Sequence, residues 1–204
     1  MGILSSSVSI TRYKVQGELH EPVLETIAKG LKKNAIKDID GDVADKAVGW
    51  TSFENPFKPD FEGSAFVLGT YLIFSLRIDK KAIPPKIVKK HYAMEMTKQL
   101  AKSGKDHLSK NERRLLKENI VNMLNQRTLA TPNIYDIIWN KEASMLWFLS
   151  NQKAANEMLE TLFSRSFKLT LVRLFPYTMA EFMTGLSDTD REVLSKLSPT
   201  KFTE

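Results

Sequence analysis

Between Arg77 and Arg127 the chain carries fourteen Lys and Arg against five Asp and Glu, a net charge of +9. The other 153 residues carry 16 basic and 19 acidic side chains, a net of −3, which leaves +6 for the whole chain. An unpaired ammonium taken out of water costs several kcal/mol, so these side chains are expected to face solvent or a partner. An excess gathered in this way also implies a basic face for something acidic, nucleic acid first and an anionic membrane second.

The flanks read as mirror images. Residues 7–15 are rich in β-branched and aromatic side chains and read as a strand. Pro22 opens a helix with Val23, Leu24, Ile27, Ala28 and Leu31 on one stripe and Glu25, Lys29 and Lys32 opposite. A short strand follows at 48–51, then a loop with Pro56 and Pro59. Residues 64–68 and 71–78 form a hairpin that turns at Gly69-Thr70. In the second flank, 133–140 and 145–150 form a hairpin across Lys141-Glu142-Ala143. The apolar run at 145–149 has no polar alternation and reads as a central strand covered on both faces. Residues 152–166 read as a helix burying Ala154, Ala155, Met158, Leu159, Leu162 and Phe163. Residues 167–174 then alternate Phe167, Leu169 and Leu171 against Lys168 and Thr170, as a half-exposed strand does.

The resulting order is β-α-β-β, an insertion, then β-β-α-β. It predicts an α+β fold with an antiparallel sheet and helices on one face. Residues 1–83 and 128–180 form the core, 84–127 a protruding helical hairpin, and 181–204 a tail with helix-like pieces at 179–183 and 190–197.

The insertion carries the charge. Pro84 and Pro85 start its first helix, where proline costs nothing. Val88, Tyr92, Met96 and Leu100 recur every four residues, flanked by Ile87, until Gly104. Ser109-Lys110-Asn111-Glu112 is a capping box, and Leu115, Leu116, Ile120, Met123 and Leu124 share one side of the second helix. The seam closes on itself and leaves Lys86, Lys89, Lys90, Arg113, Arg114, Lys117 and Arg127 outward, with Arg77, Lys80 and Lys81 at the root. These ten are the expected phosphate contacts. Acidic partners are too few to lace the face with salt bridges. No base-reading pattern is visible, so contact would run to backbone and shape. An acidic protein docking on the same face is the alternative.

Other motifs carry less. The chain has no cysteine, which excludes disulfides, thiolate zinc sites and cysteine nucleophiles. His20, His91 and His107 lack metal-ligand spacing. Asp38-Ile39-Asp40-Gly41-Asp42 resembles a calcium loop, but its sixth position is Val43 and its twelfth Gly49, so the bidentate ligand is missing. Phe53, Phe57 and Phe61 sit four apart beside Lys58, where they could stack on unpaired bases or fold back over the domain edge. Met1-Gly2-Ile3-Leu4-Ser5-Ser6 satisfies the loose myristoylation pattern, yet it runs directly into the first strand. No phosphate loop or nucleophile elbow appears. No enzyme activity, cofactor, metal, membrane contact or small-molecule substrate is expected, and the cytoplasm is the expected compartment.

The ordered set of elements resembles the bacterial recombination-associated family RdgC. The similarity starts in the first strand and continues through Lys46-Ala47-Val48 to Gly49-Trp50. It runs on through the Gly-turned hairpin into Arg77-Ile78-Asp79-Lys80-Lys81-Ala82-Ile83-Pro84, and through the charged hairpin to Leu124 and Arg127. Trp139, Ala154-Ala155 and Phe175-Pro176 complete it, over roughly residues 5 to 180. The resemblance implies duplex DNA binding without much sequence preference, association with the nucleoid, and restraint of RecA-driven strand exchange by occupying DNA. It also implies a homodimer. The ring that family members close through a C-terminal base region is not carried over, because the residues after Pro176 offer no counterpart to that region. Gln126 stands where the family's Leu-Pro-Arg step has proline.

Overall fold

The computed structural model describes residues 2–63, 65–183 and 185–198. In chain order they form β1 (Thr11–Gln16), α1 (Val23–Lys33), β2 (Lys46–Thr51), β3 (Val67–Leu68), β4 (Tyr71–Lys80), α2 (Pro85–Ser103), α3 (Lys110–Arg127), β5 (Thr131–Asn140), β6 (Met145–Phe148), α4 (Lys153–Phe167), β7 (Thr170–Arg173), α5 (Pro176–Met183) and α6 (Asp188–Lys196). The strands join one sheet in the order β2-β4-β5-β6-β1-β7, with β3 beside β4. Every pairing is antiparallel, and the architecture is the expected α+β.

Ten-residue strands β4 and β5 pair along their full length, from Tyr71↔Asn140 to Lys80↔Thr131. Successive side chains of a strand point to opposite faces. In β4 this sends Leu72, Phe74, Leu76 and Ile78 to one face, where all four are buried. Register places Trp139 opposite Leu72, Ile137 opposite Phe74 and Trp50 opposite Leu76 on that same face. Ile27 and Leu31 of α1 and Ala155, Leu159, Leu162 and Phe163 of α4 complete a single apolar cluster with them. The rings of Trp50, Phe74, Trp139, Phe163 and Phe167 nest there with centroids 4.8 to 6.4 Å apart. Burying one such ring contributes about 4–6 kcal/mol of gross transfer free energy, before conformational entropy is subtracted. Trp50 also donates its Nε1–H to Ser166 Oγ at 2.8 Å, which fixes the indole on α4.

The opposite face is polar at its centre. Ser75 Oγ donates to Asp136 Oδ1 at 2.7 Å, and the Ile3 N–H donates to Asp136 Oδ2 at 2.9 Å. The segment ahead of β1 is thereby tied across this face. Arg77 clamps Asp79 through Nε and Nη2 at 2.8 and 2.7 Å.

Several local expectations change. The first strand begins at Thr11 rather than at residue 7, because pairing to β6 starts with Thr11↔Phe148. Of the expected strand 64–68 only Val67–Leu68 pairs, and Ser64 lies outside the described residues. β6 is interior to the sheet but not covered on both faces: Leu146 and Phe148 are buried while Met145 and Trp147 are half-exposed. An unbroken apolar run therefore hid an ordinary alternation, with Trp147 resting on Tyr71 across the strands, centroids 6.2 Å apart. Phe167 closes α4 instead of opening β7, since Lys168 turns left-handed at φ 60° and ends the helix. Leu24 and Ala154, placed on buried stripes, are exposed.

Gly49 shows how tightly the edge is built. Trp50 N–H donates to Asn34 O and Ile36 N–H to Trp50 O, both at 2.9 Å, so residues 34–36 lie alongside β2. A Cβ on Gly49 would run into the Ile36 backbone. Gly49→Ala should therefore cost roughly 2–4 kcal/mol, read as a lower urea midpoint with unchanged slope. A wild-type midpoint would show that the edge can move aside.

Candidate nucleic-acid interface

The excursion between β4 and β5 leaves and returns at neighbouring positions, since Lys80 pairs with Thr131. Pro85 occupies the first turn of α2, where its missing N–H is not needed. Gly104 ends that helix in the left-handed region at φ 62°. α3 then opens on the expected capping box. Glu112 N–H donates to Ser109 Oγ at 3.2 Å, and Ser109 N–H donates to the Glu112 carboxylate at 2.7 Å.

The two helices pack on each other. Leu116, Ile120 and Leu124 of α3 are buried against half-buried Val88, Tyr92, Met96 and Leu100 of α2, with Ile83 and Leu108 at the ends. This cluster is separate from the one under the sheet, and α2 has no fully buried residue. Ile87 and Leu115, expected at the seam, are exposed. Each is one residue, or about 100°, away from a seam position.

Lys80, Lys86, Lys89, Lys90, Arg113, Lys117 and Arg127 are exposed and form no ion pair among the described residues. Three of the acids nearby are already paired: Glu95 with Lys98, Glu112 with Lys105 and Glu118 with Arg114. The Arg114–Glu118 contact is long, at 3.4 Å, and exposed, so it holds Arg114 by no more than a few tenths of a kcal/mol, about the value of a helix-surface pair.

Lys89 and Lys117, from different helices, flank one groove of about 600 Å³ whose remaining lining is Ile83, Pro85, Val88, Tyr92 and Val121. Lys86 stands three residues before Lys89 and shares its side of α2. Lys110, Arg114 and Lys117 recur at four and three, one stripe along α3. Lys90, four residues after Lys86, and Arg113, three after Lys110 and four before Lys117, border the same sides. Arg127 falls elsewhere, lining a second hollow with His91, Glu95, Lys98 and Met123. Lys110, exposed and without an ion pair among the described residues, stands on the same stripe and was not among the ten expected contacts. Its spacing to Arg114 and Lys117 was the available signal.

Two of the ten expected contacts are occupied internally. Lys81 is only 8 % exposed, and its Nζ donates to Asp42 O at 2.7 Å and Asn125 O at 2.8 Å. Asn125 Nδ2 donates to Val43 O at 3.0 Å, so Lys81 and Asn125 together bind the end of α3 to residues 42–43. Arg77 is held by Asp79, itself 1 % exposed, with its guanidinium 5.4 Å from the Phe57 ring.

The remaining motifs also have places. Phe61 is buried, so the loop folds back on the domain there, while Phe57 stays exposed beside the Arg77 guanidinium. In the acidic turn, Asp40 Oδ1 accepts the Ala130 N–H at 2.8 Å, pinning the segment ahead of β5. Among the described residues no three His, Asp or Glu side chains gather where they could hold a metal ion. No helix among them is long and apolar enough to cross a membrane.

Two outcomes are expected. Lys81→Ala leaves two inward carbonyls without their charged donor and should cost about 1.5–3 kcal/mol of stability, checked by urea unfolding; an unchanged midpoint would mean water replaces the ammonium freely. Glu112 has its pKa lowered to about 2, first by Lys105 and then by the Ser109 backbone and hydroxyl. A depressed carboxyl pKa stabilises the fold above the unfolded value near 4.5 and loses that stabilisation as pH falls toward 2. Carboxyl NMR titration should therefore find Glu112 still ionised at pH 3.5, with salt weakening the effect because the group is exposed.

The family model described as “Putative exonuclease, RdgC” matches residues 9–186. No curated protein matches the chain. The matched span includes the whole sheet, both covering helices and the cationic helix pair, and on that ground the chain belongs to the RdgC family.

Proposed function

We propose that this protein binds duplex DNA without sequence preference through α2 and α3, and that it acts by occupying DNA rather than by cutting it. Membership of the RdgC family supports a role on DNA. The observation that carries the finer reading is the set of exposed cations without an ion pair among the described residues: Lys86, Lys89, Lys90, Arg113, Lys117 and Arg127, joined by the loosely held Arg114. Such cations contact phosphates, displace condensed counterions and so bind any sequence. Lys80 adds a further exposed charge at the end of β4, while Arg77, held by Asp79 on the sheet, and Lys81, held by Asp42 O and Asn125 O, are left out of the DNA contacts.

In this reading residues 84–127 act as a binding arm on the sheet domain, and two copies of the chain hold one DNA. Coating of the duplex restrains RecA-driven strand exchange and keeps the protein with the nucleoid. The apolar floor of the groove favours one alternative, an acidic amphipathic partner protein docking between α2 and α3.

The experiment is a gel shift with random-sequence duplex at several salt concentrations. Log K should fall with log salt at a slope of about −4 to −5, for roughly four to six phosphates neutralised. Lys89→Glu, Lys90→Glu, Arg113→Glu and Arg114→Glu combined should abolish binding and leave the melting temperature nearly unchanged. Binding that survives this reversal would remove the site, and end-labelled duplex shortened in magnesium would replace occupation with catalysis.

A further inference from the structure

Phosphate binding makes no use of the floor between Lys89 and Lys117, which is apolar and contains one aromatic ring. Tyr92 is half-buried: one part of it packs on the seam of the helix pair, and it also lines the groove with Ile83, Val88 and Val121. Among the described residues no acidic side chain lines this groove. Its volume of about 600 Å³ lies within the roughly 300–1,000 Å³ typical of small-ligand sites.

We propose that the groove receives one unstacked nucleobase, held on Tyr92, while Lys89 and Lys117 take the phosphates on either side. This rests on the duplex-binding reading and adds a substrate preference to it. A base offers an uncharged flat face with an anion before and after it in the strand. The groove offers a ring and aliphatic side chains, with an ammonium contributed by each helix. Stacking on an aromatic ring depends little on which base is present, so the site adds preference for DNA structure without adding sequence specificity. An intact duplex keeps its bases stacked and reaches only the lysines. A duplex with an extrahelical nucleotide can fill the groove as well, since the energy of unstacking that base has already been spent.

The full-length chain is titrated by fluorescence anisotropy with two duplexes of equal length and salt, one perfect and one carrying a single extrahelical thymine. The wild-type protein should bind the second roughly 5- to 150-fold tighter, the value of one base–aromatic stack. Tyr92→Leu should erase that preference and leave perfect-duplex affinity within twofold, while Tyr92→Phe should keep it. Val121→Trp, which fills the groove from the other helix, should erase it without altering Tyr92, and circular dichroism melting of each variant shows whether the helix pair is intact. Equal wild-type affinity for the two duplexes overturns the proposal even if no variant folds. So does an equal loss on both duplexes in a folded Tyr92→Leu protein. Failure of the duplex-binding reading is distinct from either result: it shows as no salt-dependent binding to the perfect duplex at all.

Discussion

The full-length ladder between β4 and β5 is the constraint on which the rest of the molecule depends. Ten consecutive pairs fix which side of each strand meets the helices, because a slip of one residue would turn Leu72, Phe74, Leu76 and Ile78 out of the core. The same register decides where Trp50 and Trp139 stand, and hence where α4 can lay Phe163 and Phe167 against them. It also brings Lys80 beside Thr131, so that fifty residues of chain can leave the sheet and re-enter it without opening a gap.

Charge is tolerated in the middle segment because its two helices need little from the main core. Their own apolar cluster holds the two helices together, and long lysine and arginine side chains can leave their heads in water. Where charge is taken inside, it is satisfied at once: Lys81 by two carbonyls, Asp79 by a bidentate guanidinium, Asp136 by a hydroxyl and an amide. Tyr13 follows the same rule. Its hydroxyl lies 2.6 Å from Asn156 Oδ1 and 2.9 Å from Glu160, and its pKa is raised first by burial and then by Glu160, with Arg173 opposing.

Much of this could be read in the chain beforehand, and the misses share a physical origin. Order and type of the elements followed from periodicity, and the capping box at Ser109 from four residues. Met145-Leu146-Trp147-Phe148 misled because an apolar side chain on a half-exposed face looks, in sequence, like one in a core. Phe167 misled because the left-handed turn at Lys168 has no glycine to announce it. The candidate interface was legible as a population of cations but not as a shape. Lys81 differs from Lys80 by one position in sequence, and only the approach of Asn125 and Asp42 from distant segments separates a buried anchor from a free charge. The groove needed two helices in register before Tyr92 and Val121 could be seen on one surface.

The neighbouring exit and entry points of the helix pair have an architectural consequence. A helix lengthens by about 1.5 Å per residue, so seven residues added to α2 and seven to α3 would extend the pair by about 10 Å while every strand kept its partner. Reach can in this way be tuned independently of the scaffold, by whole heptads, at no cost to the β-ladder that supports it.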